Sequence, residues 1–437
     1  MSSPVESAIR GVVTSGIMGV ANINRALRRR KGPNPYLTGL HEPLTSEATF
    51  TDLQVTGAIP AELNGVYLRN GPNPLKAPNA ATHHWFIGEA MIHGVRLQDG
   101  KALWYRNRWV RSNAVSDALG ETRAPGPRHA RTDVANTNII GHAGKLWAIV
   151  EAGGHPVEMG EDLSTVAHST FEGTLGRGVL GPPASGPRHG RTVRHLLRGA
   201  APDHDLAHGG GRGRQGAPQR ADRGAGTAPM IHDCMITASY VVVMDLPVTF
   251  SMQAVLKPGR VSFRWNPKHA ARIGPFAARE GAGEDIVWCE VDPCFIFHPA
   301  NAFEREDGVV VMDACVHPSM FEAGATGPDS LACPFERLEI DPRTRRVTRT
   351  VIDAAPQEFP RPDERRIGKP YRYAYCMALP ENQDPAFVGD PRLYRHDLET
   401  GEKLVRDFGE GRMPGEFVFI PARPDSAEDV GLADGFL

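Results

Sequence analysis

Phe297-His-Pro-Ala-Asn-Ala-Phe-Glu304 runs almost directly into Glu306-Asp-Gly-Val-Val-Val-Met312. The valine-rich half is a short β-run, and Asp307-Gly308 ahead of it is a hairpin signal, because glycine accepts the positive φ of a tight turn. The same grammar recurs outward in both directions. Toward the N-terminus come Val95-Arg-Leu-Gln-Asp-Gly-Lys-Ala-Leu-Trp104, Gly141-His-Ala-Gly-Lys-Leu-Trp-Ala-Ile-Val150 and Tyr240-Val-Val-Val-Met244. Toward the C-terminus comes Leu393-Tyr-Arg-His-Asp-Leu-Glu-Thr-Gly-Glu-Lys-Leu-Val405. No long stretch shows helical periodicity or alternates helix with strand. Many short hairpins over about 400 residues predict an all-β chain of radially repeated sheets, a β-propeller, in preference to one sandwich. Strict internal repeats are not visible.

Composition agrees. The chain has 437 residues, 41% hydrophobic, with 47 Gly and 37 Pro, a balance that suits a turn-rich β protein. A formal net charge of -2 supplies no global attraction to nucleic acid or acidic lipid. The six cysteines form no CxxC pair, which excludes a zinc knuckle or a thioredoxin-type motif and reads as reduced, buried thiols of a cytoplasmic protein.

Two segments stand apart. In residues 1–35 an apolar stripe (Ile9, Val12, Val13, Ile17, Met18, Val20, Ile23, Leu27) precedes Arg28, Arg29, Arg30 and Lys31. Signal peptides carry their positive charge before the apolar run, so this order predicts either an N-terminal arm or a short helix resting on a membrane surface. Residues 36–437 are expected to form a single propeller domain. Within them, residues 177–226 hold twelve Gly, nine Arg and five Pro, and no Phe, Trp, Tyr, Ile, Met, Lys or Glu. Such a stretch has nothing with which to build a strand core. A disordered basic loop, a nucleic-acid arm and translation of the wrong frame are the three readings, and the missing aromatics count against the second.

Two histidines open β-runs. His232 lies in Pro229-Met-Ile-His-Asp-Cys-Met-Ile-Thr237, ahead of Tyr240–Met244, and His298 lies ahead of Val309–Met312. Alone, each would be an ordinary hydrogen-bonded core residue. Their company changes that reading. The ordered set Tyr67-Leu-Arg-Asn-Gly-Pro-Asn-Pro74, His84-Trp-Phe, Met91-Ile-His-Gly94, Trp147-Ala-Ile-Val-Glu151, Pro229-Met-Ile-His-Asp233, His298-Pro-Ala-Asn-Ala-Phe303, Glu358-Phe-Pro and Pro414-Gly-Glu-Phe-Val418 resembles the carotenoid cleavage oxygenase family from about residue 36 to 429.

The resemblance implies a seven-bladed β-propeller with ferrous iron, Fe(2+), on its axis. Four histidines hold the metal, three glutamates orient them from behind, and a hydrophobic helical cap receives an apolar polyene that is cleaved with O2. Carried over by position, His232 and His298 match two iron ligands, and Glu151, Glu358 and Glu416 match the orienting carboxylates. Imidazole suits Fe(II), and a carboxylate on the other ring N–H fixes the tautomer. His93 belongs to a motif that does not ligate iron and reads as structural. No acid–base side chain is required; the metal carries the chemistry.

Two further ligands are expected and missing. The family's first ligand sits in a Phe-(Ser/Thr)-Ala-His-Pro motif shortly after Gly173-Thr-Leu175, where this chain reads Val179-Leu-Gly-Pro-Pro-Ala184. Codons for Gly178–Ala184 exist that, read one base later, spell Ala-Phe-Ser-Ala-His-Pro. The same offset over Gly186–Arg194 yields Asp-Pro-Gly-Thr-Gly-Glu-Leu-Phe. Val430-Gly-Leu-Ala-Asp-Gly-Phe-Leu437, also one base later, reads Ser-Gly-Trp-Leu-Met-Gly-Phe, so the closing strands and fourth histidine are expected to be lost. Two frame disruptions and an incomplete propeller are therefore predicted. The function expected is an iron dioxygenase of carotenoids or apocarotenoids, impaired in this form. An inactive homologue without stable iron and a stilbene-cleaving enzyme are the alternatives, and nucleic acid is not expected as a partner.

Overall fold

The computed structural model describes residues 33–128, 132–151, 154–170, 228–256, 261–277, 286–322, 327–330, 332–381, 390–426 and 435–436. The arm expected over 1–35 falls almost wholly outside these residues, as do the Gly/Arg-rich segment 177–226 and residues 430–434. Within them the protein is a β-propeller built from antiparallel four-stranded units, with few and short helices.

The first unit comprises β1 (Ala48–Phe50), β2 (Gly65–Asn73), β3 (Glu89–Gln98) and β4 (Lys101–Trp109), and the second β5 (Asn138–His142), β6 (Lys145–Ile149), β7 (Val157–Met159) and β8 (Thr165–His168). The third holds β9 (Cys234–Ile236) and β10 (Tyr240–Asp245), then an excursion hairpin of β11 (Val248–Phe250) and β12 (Phe263–Trp265), then β13 (Arg272–Ala277) and β14 (Cys289–Glu290). The fourth is β15 (Pro299–Glu304), β16 (Val310–Cys315), β17 (Phe335–Asp341) and β18 (Arg346–Asp353). The fifth is β19 (Gln357–Arg361), β20 (Tyr373–Ala378), β21 (Arg392–Asp397) and β22 (Lys403–Asp407), and a short pair of β23 (Ile420–Pro421) and β24 (Gly435–Phe436) follows. Outer strands β14 and β18 touch at Glu290 and Arg346, which joins the third and fourth units into one eight-stranded sheet.

The hairpin signals fall where the sequence puts them. Asp99 and Gly100 both have positive φ (49° and 72°), as do Ala143 and Gly144 (52° and 75°), the conformation a type I′ turn demands. Burial grades across each unit. All six residues of β16 are buried, and all five residues of the outer strand β22, Lys403-Leu-Val-Arg-Asp407, are exposed. Charged residues on such an outer edge discourage pairing with another chain. The main core lies between the third, fourth and fifth units, with Val242, Met244, Ile273, Phe295, Phe297, Met312, Phe335, Leu338 and Cys376 packed together. All six cysteines are free and buried, as the composition suggested.

One strand differs from the sequence reading. His232 does not lead straight into Tyr240–Met244; the intervening Cys234–Ile236 is itself a strand, pairing with β10. Its three residues are buried on both faces, so no polar–apolar alternation announces it. Innermost strand β15 packs between β9 and β19, and β2 packs beside β5. Two amides in the quoted motifs, half-buried Asn70 and buried Asn301, tie these strands down. Asn70 in β2 donates to the carbonyls of Ala135 and Asn138 (2.7 and 2.9 Å), and Asn301 in β15 donates to those of Arg366 and Lys369 (3.0 Å each) while accepting from Gly368 N–H (3.0 Å). Among the described residues, no helix is long and apolar enough to cross a membrane.

Candidate metal centre

The second to fifth units each contribute one group. Glu151 follows β6, His232 precedes β9, His298 precedes β15 and Glu358 lies in β19. Nδ1 of His232 lies 3.0 Å from Oε1 of Glu151, and Nδ1 of His298 lies 2.8 Å from Oε2 of Glu358, each ring N–H donating to a carboxylate. The two Nε2 atoms then face each other at 3.4 Å.

Charge explains the orientation. Burial works to raise the Glu358 carboxyl, but His298 and His317 beside it outweigh burial and hold it down at about 2. Glu151 lies below the ordinary carboxylate range for the same reason: His232 outweighs the cost of burial. Burial opposes protonation of His298, yet the Glu358 charge raises its proton affinity overall. With Nδ1 of each ring donating to a carboxylate, the two Nε2 atoms meet in the gap, where a pair of lone pairs repels unless a proton or a cation stands between them. A divalent first-row ion about 2.0–2.1 Å from each nitrogen would separate them by about 2.9 Å at a right angle and about 3.3 Å at the tetrahedral angle. The observed spacing fits such an ion.

The surroundings are apolar and aromatic. Phe297 is buried and packs edge-on against His232 with centroids 5.0 Å apart, and Phe359 stacks on His298 at 4.8 Å. Phe359 adopts a φ of 54°, which a bulky residue rarely accepts, where the β19–β20 register shifts. That bulge lets consecutive residues serve one site: the carboxylate of Glu358 takes His298, the Phe359 ring covers it, and the Phe359 N–H donates to Oε2 of Glu358 at 2.6 Å. Asp233, next to His232, is buried, and burial pushes its carboxyl up to about 7 against the pull of His232.

Glu416 stands elsewhere. It is 42% exposed and pairs with Arg361 at 3.2 Å, and its charge is felt at His298 without a hydrogen bond to it. His93 contacts the hydroxyl of Tyr105 at 2.9 Å and takes no part in the pair. Residues unmarked by the sequence reading also enter. Nε2 of His317 lies 2.9 Å from the second oxygen of Glu358, and Sγ of Cys333 lies 3.2 Å from that nitrogen. Nothing in Cys315-Val-His-Pro318 flags His317 beforehand; only the tertiary fold brings it to Glu358.

Comparison with known proteins places the chain in a family. The family model described as retinal pigment epithelial membrane protein matches residues 41–436. A carotenoid cleavage oxygenase of Mycobacterium tuberculosis is 37% identical over 92% of this chain and 89% of its own length. Among solved structures, Pseudomonas brassicacearum lignostilbene dioxygenase superposes with a TM-score of 0.72 at 23% identity, covering 91% of this chain and 89% of that one. Cobalt-substituted Synechocystis ACO gives 0.69 at 22% identity, covering 92% and 89%. The match over nearly the whole chain, and the histidine pair that the matched motifs bring together, make this protein a member of the retinal pigment epithelial membrane protein family, the family of the carotenoid cleavage oxygenases.

Proposed function

We propose that this chain is, by descent, a non-haem Fe(II)-dependent dioxygenase that splits a conjugated double bond of a carotenoid or apocarotenoid into two carbonyl products. The observation that carries the reading is the 3.4 Å approach of the His232 and His298 Nε2 atoms, each ring backed by a carboxylate. Iron bound there supplies the activation of O2 beside the double bond. The chain's own residues do the rest. His232 and His298 bind, Glu151 and Glu358 hold the ring tautomers, and Phe297 and Phe359 keep water away and offer an apolar wall to a polyene. Glu416, paired with Arg361, adds negative charge near His298 without holding a ring.

The form given by this sequence is impaired in this reading. The described residues bring two imidazoles to the site where the resemblance implies four, and two hold iron more weakly than four. The basic-ended apolar stripe before residue 32 supports peripheral membrane contact from the cytoplasm, where apolar polyenes partition. The test is an assay of purified, iron-loaded protein with an apocarotenal and with a hydroxystilbene, with and without O2. O2-dependent conversion of the apocarotenal to a shorter carbonyl product, slow in this form and faster once the frame of residues 177–226 is restored, is expected. Preferential cleavage of the stilbene overturns the substrate class, and inactivity of both forms overturns the enzyme.

A further inference from the structure

We propose that His317 is a positioning residue of the metal site, acting through Glu358 on His298. The proposal rests on the metal reading given above. Its carrier is a continuous chain of contacts: Nε2 of His317 to Oε1 of Glu358 at 2.9 Å, then Oε2 of Glu358 to Nδ1 of His298 at 2.8 Å. Glu358 is thus gripped at both oxygens, with the Phe359 N–H as a third donor at 2.6 Å. A carboxylate in that company is an acceptor throughout, so His317 carries its proton on Nε2. With one oxygen released, the carboxylate could turn about its own axis and the His298 ring with it. With both held, Nε2 of His298 stays aimed at His232.

The backbone makes this grip rigid. His317 lies just past β16, and its N–H and C=O each bond Phe295 at 2.8 Å, which extends the β15–β16 pairing beyond the bulge at Pro299. Cys315 N–H reaches the carbonyl of His298 at 3.4 Å, so the segment that carries His317 is paired with the segment that carries the ligand. Both His317 and Glu358 are fully buried, and Phe297 packs edge-on against His317 at 5.6 Å while also touching His298. The back of the site is therefore dry, where a charge-assisted hydrogen bond is strong.

The same residues do not form a second metal site. His317, Cys333 and Glu358 have donor atoms within 4.8 Å of one another, a grouping that could itself suggest a second metal. Both oxygens of Glu358 are already engaged by ring nitrogens, one of them on the ligand histidine. A cation there would have to break the support of His298, so the trio works as a relay behind one site.

The test uses the full chain with Co(II) as the probe, added without oxygen to the unaltered protein, His317→Gln and His317→Leu. Gln keeps an N–H near the Nε2 position and Leu removes it. Co(II) affinity is read by competition with a chelator and ligand geometry by the visible absorption band. The expected result is affinity and band close to unaltered for His317→Gln, and about 10-fold weaker binding with a changed band for His317→Leu. Unaltered binding and spectrum in a folded His317→Leu protein overturn the proposal. Ring-nitrogen NMR of the unaltered protein tests it without any variant: a proton on Nδ1 of His317 instead of Nε2 overturns it. Absence of a Co(II) band in the unaltered protein overturns the metal reading itself, a result distinct from a band that is indifferent to His317.

Discussion

Nε2 of His232 and Nε2 of His298 meet 3.4 Å apart although 66 residues of sequence separate them. The pair and its supports come from four successive units of the propeller: Glu151 from the second, His232 from the third, His298 from the fourth and Glu358 from the fifth. Inner strands that lie side by side bring such residues to one point, and no local turn would do so.

The two supporting carboxylates differ in weight. Glu358 is fully buried and serves His298, His317 and the Phe359 N–H, whereas Glu151 is partly exposed and serves His232. Glu358→Gln is expected to lower metal affinity by about 10–100-fold, and Glu151→Gln by less. Chelator competition with Co(II) ranks them. A larger loss in Glu151→Gln would mean that burial does not set the contribution of each support.

Stability should fall with acid in a definite window. Burial lowers His84 to about 3, with His83 adding to the effect; it lowers His93 to about 4 with Arg69 adding; and it lowers His396 to about 4. A histidine depressed in the folded state is protonated first in the unfolded chain, so the unfolded state binds more protons and stability falls as pH drops from about 6.5 toward 4. Asp233, pushed up to about 7, works the other way, because the folded carboxyl protonates first, but one group does not offset three histidines. Glu358, held at about 2, adds a further loss below about 4.5, because the unfolded carboxyl protonates first. Thermal melting at pH 7.5, 6, 5 and 4 should show a steady decline (about that spacing resolves the window). Melting that is flat or rising over this range contradicts the assignment of neutral, buried imidazoles.

Asn301 shows why its motif reads as it does. Its amide satisfies the carbonyls of Arg366 and Lys369 and the N–H of Gly368, closing the loop beside β15. Asn301→Ala leaves those three groups without this partner, and a loss of about 3 kcal/mol or more is expected in urea unfolding. A change under about 1 kcal/mol would mean that water replaces the amide at no cost.

Much of this was legible beforehand, for uneven reasons. Hairpins were readable because Asp99-Gly100 and Asp307-Gly308 carry local turn chemistry. The residues His232, His298, Glu151 and Glu358 were reachable only through the resemblance, since nothing local distinguishes His232 from a core histidine such as His396, which bonds Gln357 at 2.6 Å. Strand Cys234–Ile236 was missed because burial on both faces erases alternation. His317 was missed because its role depends on a contact 41 residues away in sequence. Glu416 sits close enough to influence His298 yet pairs with Arg361, a partner that a motif cannot specify.

The Gly/Arg-rich segment makes a prediction about DNA. Sequencing the gene across codons 176–228 should reveal Ala-Phe-Ser-Ala-His-Pro one base out of the present frame, with the histidine straddling the codons of Pro182 and Pro183. Bases that spell no such motif in either neighbouring frame remove the frame-shift explanation for the composition of residues 177–226.

The most direct test of the central claim is anaerobic titration of the purified full chain with Fe(II), beside the double variant His232→Ala/His298→Ala, with bound metal counted after gel filtration. One ion retained per chain in the unaltered protein and none in the variant is the expected result. Equal retention in both, or none in either, contradicts a metal gripped between these two rings.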